Sequence, residues 1–199
     1  MDDFALLQRW KDGDKASGNE LFERHFATLR RFFRNKVDDS DAEDLVGRTL
    51  LECVRSLPAF RGEASFRTYL FTIARRELGH HIRRKLRDAD RREPDFTVSS
   101  LADLGLSPSR IAAHQQVHER ILAAMQQIPL DFQITLELHY WEGLNGPELA
   151  EVLGIAPATV RTRLHRAREA LRDRLRELGD EPQTEQDLEA SITAIPRVV

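Results

Sequence analysis

Apolar residues in this chain recur at spacings of three and four, and the alternation expected of strands is almost absent. Leu21, Phe22, Phe26, Leu29, Phe32 and Phe33 trace one long helix, roughly residues 16–36, ending near the turn-forming Asp38, Asp39 and Ser40. Ser40 or Asp41 can cap a second helix that carries Leu45, Val46, Leu50, Val54 and Leu57 and stops at Pro58. After the loop AFRGEAS, Ser65 is placed to cap a third. Its buried side holds Phe66, Leu70, Ile73, Ala74, Leu78 and Ile82, and it ends in the basic run RRKLR.

The pattern then breaks. EPDFTVSSLADLGLSPSR, residues 93–110, has two Pro, one Gly and four Ser, and reads as a linker without a core of its own. Helical spacing resumes at Ile111. Ile121, Leu122 and Met125 mark a helix broken by Pro129, and Phe132, Ile134, Leu136 and Leu138 mark the next. A short helix over 147–153 and a long one over 157–178 follow. The expected architecture is all-α: a helical domain at 1–92, a flexible linker at 93–110, a second helical domain at 111–178, and an acidic tail at 179–199. Disorder is the default for so polar a tail.

Charge changes this picture. The net charge is only −3, but it is distributed in blocks. Residues 61–92 carry ten basic and four acidic side chains, a net +6. Residues 156–178 carry seven Arg against three acids, a net +4, and the segment between the two blocks is −7. Two basic blocks in an acidic chain fit either two docking faces for a polyanion or two solvated helix faces. The single cysteine, Cys53, excludes an intramolecular disulfide and a cysteine metal cluster. No apolar run approaches the length of a membrane span, and MDDFALLQRWKDGD lacks a signal-peptide pattern. A cytoplasmic protein without membrane insertion is expected.

The second basic block sits in a recognisable grammar. Asn145 and Glu148 stand at capping-box spacing, Gly154 suits a left-handed helix end, and Pro157 suits the first position of the next helix. Two helices joined around a glycine make a helix-turn-helix. Leu149 and Leu153 face inward, Ala150 permits a close crossing, and Ile155 fills the turn. At ~100° per residue, Val160, Leu164, Ala167 and Leu171 share one face of the second helix. Arg161, Thr162, His165, Arg166 and Glu169 cover the other, with Arg163 and Arg168 on the flanks. Outward residues at the start of such a helix reach base edges, where arginine bonds guanine through two donors, and flanking arginines suit phosphates.

A lone helix-turn-helix leaves residues 61–92 unexplained. There aromatics mix with arginines: Phe60, Arg61, Phe66, Arg67, Tyr69, Phe71, Arg75, Arg76, His80 and Arg83. Aromatic stacking with backbone-holding cations suits single-stranded nucleic acid, although each aromatic taken singly, Phe66 and Phe71 among them, reads better as core. No catalytic constellation or phosphate-cradling loop occurs. His114 and His118 lie four apart, but no third ligand accompanies them. No enzyme activity, metal or cofactor is expected.

Residues DAEDLVGRTLLECVRSLPAFRGEASFRTYLFTIARRELGHHIRRK resemble region 2 of the extracytoplasmic-function sigma factors of bacterial RNA polymerase. IPLDFQITLELHYWEGLNGPELAEVLGIAPATVRTRLHRAREALRDRL resembles their region 4. The resemblance spans about residues 5–178, and FRGEASFRTYLFTIAR is its more diagnostic part. It implies a dissociable promoter-specificity subunit that directs transcription initiation. The core-polymerase contact implied is the helix with Asp41, Asp44, Leu45, Arg48, Thr49 and Glu52, on the clamp of the largest subunit. Region 4 would dock on the flap of the second-largest subunit. The minus-ten contact implied is Phe60, Arg67, Tyr69, Arg75, Arg76, His80 and Arg83, with Arg61, Gly62, Glu63, Ala64 and Ser65 holding a flipped base. The minus-thirty-five contact implied is Arg161, Thr162, Arg163, His165, Arg166 and Arg168.

The sequence departs from the family pattern at Gly47-Arg48, where Gln-Glu is frequent, at Tyr69 and Arg76, and at Ala156, where a Ser cap is usual. The competing reading is a helix-turn-helix regulator that binds promoters without joining polymerase. For the tail, the alternative to disorder is a regulatory segment whose apolar end packs on region 2 or region 4, or on an anti-sigma partner.

Overall fold

The computed structural model describes residues 1–89, 93–106, 116–179 and 182–195. Helix α1 (Asp3–Lys11), absent from the sequence reading, is capped by Asp2 and buries Leu6, Leu7 and Trp10. Helix α2 (Lys15–Arg34) starts at Asp14, whose carboxylate accepts from Ala16 and Ser17 N–H. Leu21, Leu29 and Phe33 of α2 are fully buried, whereas Phe26 is largely exposed. Gly18 lets α2 meet α1, because a Cβ there would lie 2.7 Å from the Trp10 indole.

Helix α3 (Asp39–Ser56) is capped by Asp38, which accepts from Asp41 N–H at 2.8 Å, and not by Ser40 or Asp41. Val37 and Ala42, the flanking positions of a hydrophobic staple, are both buried and fix where the chain turns. Pro58 sits in a short 3-10 turn after α3. Ser65 caps helix α4 (Phe66–Asp88) through Thr68 N–H, as its sequence position suggested.

The linker packs more than expected. Leu101, Leu104 and Leu106 are buried, and the carbonyls of Phe96 and Ser99 accept from Asp131 and Leu130 N–H. Helix α5 (Gln116–Met125) follows, then α6 (Leu130–Leu136), which runs on into one π turn at Glu137–Trp141. His114 lies outside the described residues.

The helix-turn-helix is helix α7 (Gly146–Leu153) and helix α8 (Pro157–Glu177). Both halves of the Asn145–Glu148 capping box form, at 3.1 and 3.0 Å. Gly154 is left-handed at φ 65°, and Ala156 gives no side-chain cap.

The tail reading is corrected: Glu185–Thr193 is helix α9, opened by a Thr184–Asp187 capping box. Leu188, Ile192 and Ile195 form a narrow apolar stripe. It closes a second core made by Ile121, Met125, Leu136, Trp141, Leu171 and Leu175. The tail's average polarity hid that stripe. No helix among the described residues is long and apolar enough to cross a membrane.

Candidate nucleic-acid and polymerase interface

Helix α8 presents two faces. Val160, Ala167, Leu171 and Leu175 are buried, while Arg161, Thr162, His165 and Arg166 are exposed along its first half. Pro157 at the helix start and the left-handed Gly154 aim this exposed row away from the domain. The two flanking arginines are engaged elsewhere. Arg163 is half-buried and donates to Asp131 at 3.0 Å. Arg168 lies 2.7 Å from Glu185 and 3.3 Å from Glu189, both on α9, and also contacts the Tyr140 hydroxyl.

The loop before α4 is set by Gly62, at φ +81°, and by the Ser65 cap. Arg61, Glu63 and Ser65 are exposed, and Gly62 and Ala64 are half-buried. The loop walls a cleft of about 510 Å³ whose other walls include Asp3 and Phe4 of α1 and Gly143 and Glu148 beyond the linker. Phe60 is half-buried, its ring 4.4 Å from that of Tyr69, and its carbonyl accepts from Lys11 at 2.9 Å.

Tyr69 faces inward, which takes it out of the candidate surface. Its hydroxyl donates to the Cys53 carbonyl at 2.8 Å and lies 2.6 Å from Ser56 Oγ, and burial pushes its pKa up to about 12. Phe66 and Phe71 are core residues. Along α4, Arg67, Arg76 and His80 are exposed, and Arg76 pairs with Glu52 at 3.0 Å. Arg83 stacks on Phe96, its guanidinium 5.2 Å from the ring centre. Arg75 donates to Asp131 at 2.9 Å.

On α3, Asp44 pairs with Arg48 at 2.7 Å, and Glu52 reaches Arg76. Asp41 accepts from Lys85 at 2.8 Å and lies 3.2 Å from His81. Burial would raise the Asp41 pKa, but the Lys85 hydrogen bond and the His81 charge outweigh it and hold it low. Burial lowers the His81 pKa despite Asp41. Leu45 and Thr49 are fully buried, with Thr49 bonded to the Leu45 carbonyl, so the structure removes both from the candidate surface. In their place Leu51 and Val54, each 49% exposed, stand three apart on one face. The sequence reading used Val54 only to mark the helix, with Leu45, Val46, Leu50 and Leu57. The i, i+3 pairing with Leu51 was the signal that could have found this face.

The two helical halves meet across a charged seam set in a shared core. Leu130, Ile134, Leu138, Leu144, Leu149 and Leu153 join the cluster built on Leu21, Phe33 and Phe71. Lys36 is fully buried, bonded to Glu137 at 2.5 Å and to the Phe32 carbonyl at 2.8 Å. Burial pushes its pKa down, against the pull of the Glu137 carboxylate. Arg31 pairs with Glu142, and Arg67 donates to the Glu142 carbonyl. Glu148 accepts from Ser65 at 3.1 Å and Thr68 at 3.4 Å, on top of its capping-box bond. Glu137 opens the π turn and Glu142 caps its end.

An exposed arginine row on a helix-turn-helix, with a second cationic helix behind a glycine-set loop, defines a two-part, all-helical nucleic-acid-binding protein. The comparisons narrow this. A family model described as Sigma-70 region 2 matches residues 21–88, and one described as Sigma-70, region 4 matches residues 118–171. The chain is 26% identical over 188 residues to an ECF RNA polymerase sigma-E factor of Haemophilus influenzae, covering 89% of this chain and 97% of that one. It is 29% identical over 181 residues to an RNA polymerase sigma-H factor of Pseudomonas aeruginosa, covering 85% and 91%. The sigma factor RpoE of Bartonella quintana, solved with the anti-sigma factor NepR, shares the fold. Its TM-score is 0.60 at 23% identity, over 79% of this chain and 96% of that one.

The chain belongs to the sigma-70 family, and is a sigma factor of the extracytoplasmic-function type. It is a non-enzymatic factor that directs RNA polymerase to promoters at transcription initiation.

Proposed function

We propose that the exposed row Arg161, Thr162, His165 and Arg166 reads the duplex minus-thirty-five element. The loop of residues 61–65, with Arg67, Arg76, His80 and Arg83, captures the separated minus-ten strand. The exposed face of α3, with Asp44, Arg48, Leu51, Glu52 and Val54, docks on core polymerase in the cytoplasm. Residues 1–92 and 111–178 are the two working domains, joined by residues 93–110. The observation that carries this reading is the outward exposure of two cationic surfaces on separate helical halves. Such surfaces match the two needs of a promoter, groove readout of duplex and stacking with backbone contacts on single strand.

Arg163 and Arg168 are assigned to phosphates or to positioning, because each is already ion-paired. An anti-sigma factor is the expected protein antagonist, by analogy with the Bartonella complex. The test adds the purified chain to core RNA polymerase on a library of promoter templates and sequences the transcripts. New starts that share two upstream elements and require the chain are expected. Duplex binding without a polymerase complex or new starts would return the chain to the separate-regulator reading.

A further inference from the structure

Capture of a separated strand needs aromatic faces as well as cations, because unpaired bases stack on rings while cations hold the backbone. The surface assigned to the minus-ten strand has the cations, but its rings are already engaged. Tyr69 is turned inward, Phe60 lies against it, and Phe66 and Phe71 are core. An exposed ring borders this surface from a different element. Phe4 of α1 is 64% exposed, and it lines the same cleft of about 510 Å³ as the loop of residues 62–65 and Arg67.

The cleft suits a planar ring. Buried Leu7 and Phe66 give it an apolar floor, the loop forms one wall and Phe4 another. Its volume lies in the range of pockets that enclose whole small ligands, about 300–1,000 Å³, so a base fits with part of its backbone. Helix α1 is pinned at both ends. At its start, Asp3 lies 2.5 Å from His25 and 3.2 Å from Arg24, and Arg24 also donates to the Met1 carbonyl at 2.7 Å. At its end, Trp10 packs edge-on to Phe22, and Lys11 donates to the Phe60 carbonyl at 2.9 Å. A Cβ on Gly62 would stand 3.5 Å from the Gln8 amide, so α1 and the loop are in direct contact. All these contacts lie within the N-terminal half, and they fix Phe4 relative to the loop without help from the C-terminal half. A ring held in this way offers stacking area with little left to order on binding.

We infer that Phe4 is the stacking platform for the base captured by the loop of residues 61–65, which makes α1 part of the promoter-reading site. This rests on the assignment of that loop to the minus-ten strand, and adds the residue that grips the face of the base. Glu63, exposed at the cleft, is left to accept from amino groups on the base edge. Exposure alone does not single out Phe4: Phe26 of α2 is 42% exposed and lines no part of the cleft.

The test uses the holoenzyme of this chain with core RNA polymerase. Fluorescein-labelled single-stranded oligodeoxynucleotides carry the minus-ten element found with the promoter library, with an abasic site at each position in turn, and binding is read by anisotropy. With the wild-type chain, one position should lose most affinity on losing its base. Phe4→Ala should weaken binding of the intact strand at least about fivefold, the lower end of what a lost base stack costs. On the strand abasic at the captured position it should change affinity less than about twofold, because the ring then has no base to hold. At the other abasic positions its full effect should remain. Phe4→Leu keeps apolar bulk and should bind as weakly as Phe4→Ala, whereas Phe4→Trp should bind as well as wild type. Phe26→Ala should leave binding unchanged, and all four variants should keep their Tm, since both positions are exposed.

A loss in Phe4→Ala that is equal on every abasic strand, or no larger than that of Phe26→Ala, would overturn the inference, as would full binding by Phe4→Leu. Glu63→Ala is measured alongside. If it couples to one position and Phe4→Ala does not, the loop assignment stands and only the platform falls. If no position responds to loss of its base, the strand assignment falls and takes the platform with it.

Discussion

At the scale of single residues, two helix-interior glycines have opposite meanings that only their surroundings reveal. Gly47 lies in α3, exposed, with nothing within 4 Å of an added Cβ. Gly18 lies in α2 under the Trp10 ring, where the same atom would sit 2.7 Å from the indole. Helix propensity alone favours Ala over Gly at both by about 1 kcal/mol. Gly47→Ala should therefore stabilise the chain by roughly 0.5–1 kcal/mol, raising Tm by about 2–4 °C. Gly18→Ala should destabilise it by about 1–3 kcal/mol, because overpacking drives α1 from α2. Thermal denaturation of both variants decides this; a loss of stability in Gly47→Ala would mean that α3 is not a freely exposed helix there. Gly47 also lies on the helix proposed to meet polymerase, so its Ala variant separates backbone entropy from core affinity in one protein.

At the scale of elements, α9 converts a polar tail into a lid on the C-terminal core. Leu188 and Ile192 are fully buried, and the Trp141 indole N–H donates to the Ile192 carbonyl at 2.9 Å. Leu188→Ala should cost about 2–5 kcal/mol of the stability of this half, the usual range for truncating a buried leucine. It should also redden Trp141 fluorescence as the lid loosens. An unchanged denaturation curve and spectrum would show that α9 does not seal the core in solution.

This element marks a limit of legibility. The long helices and their caps at Ser65 and Asn145 were readable, because amphipathic period and capping chemistry act locally. Helices α1 and α9 were missed, because each is short and its apolar stripe is only two or three residues wide among charges. The inward turns of Leu45, Thr49 and Tyr69 were also hidden. They depend on how α3 lies against α4, where Tyr69 bonds Cys53 and Ser56. Asp131 was unremarkable in the sequence and central in the fold, since its two arginine partners are 56 and 32 residues away.

At the scale of the whole molecule, a net charge of −3 must coexist with tight attachment to a polyanion. Segregation solves this, provided that the two cationic surfaces do different work, one reading bases and one holding backbone. The two kinds of contact respond differently to salt. A phosphate contact releases a counterion, and log K falls with log salt by about 0.9 per contact on duplex and 0.7 on single strand. A base-edge contact leaves that slope nearly unchanged and alters preference at one position by about 1–3 kcal/mol.

With the polymerase holoenzyme on promoter DNA, Arg161→Ala or Arg166→Ala should relax one minus-thirty-five position each and keep the salt slope. Arg83→Ala with Arg84→Ala should weaken all promoters alike and flatten the slope by about one to two. Arg83 also stacks on Phe96, so its loss loosens the linker as well. Arg84 is exposed, 3.5 Å from the His81 ring nitrogen, and its single variant tests the phosphate contact without disturbing Phe96. If the α8 variants flattened the slope and left base preference intact, α8 would be a backbone-holding helix, and promoter choice would have to reside in the loop before α4.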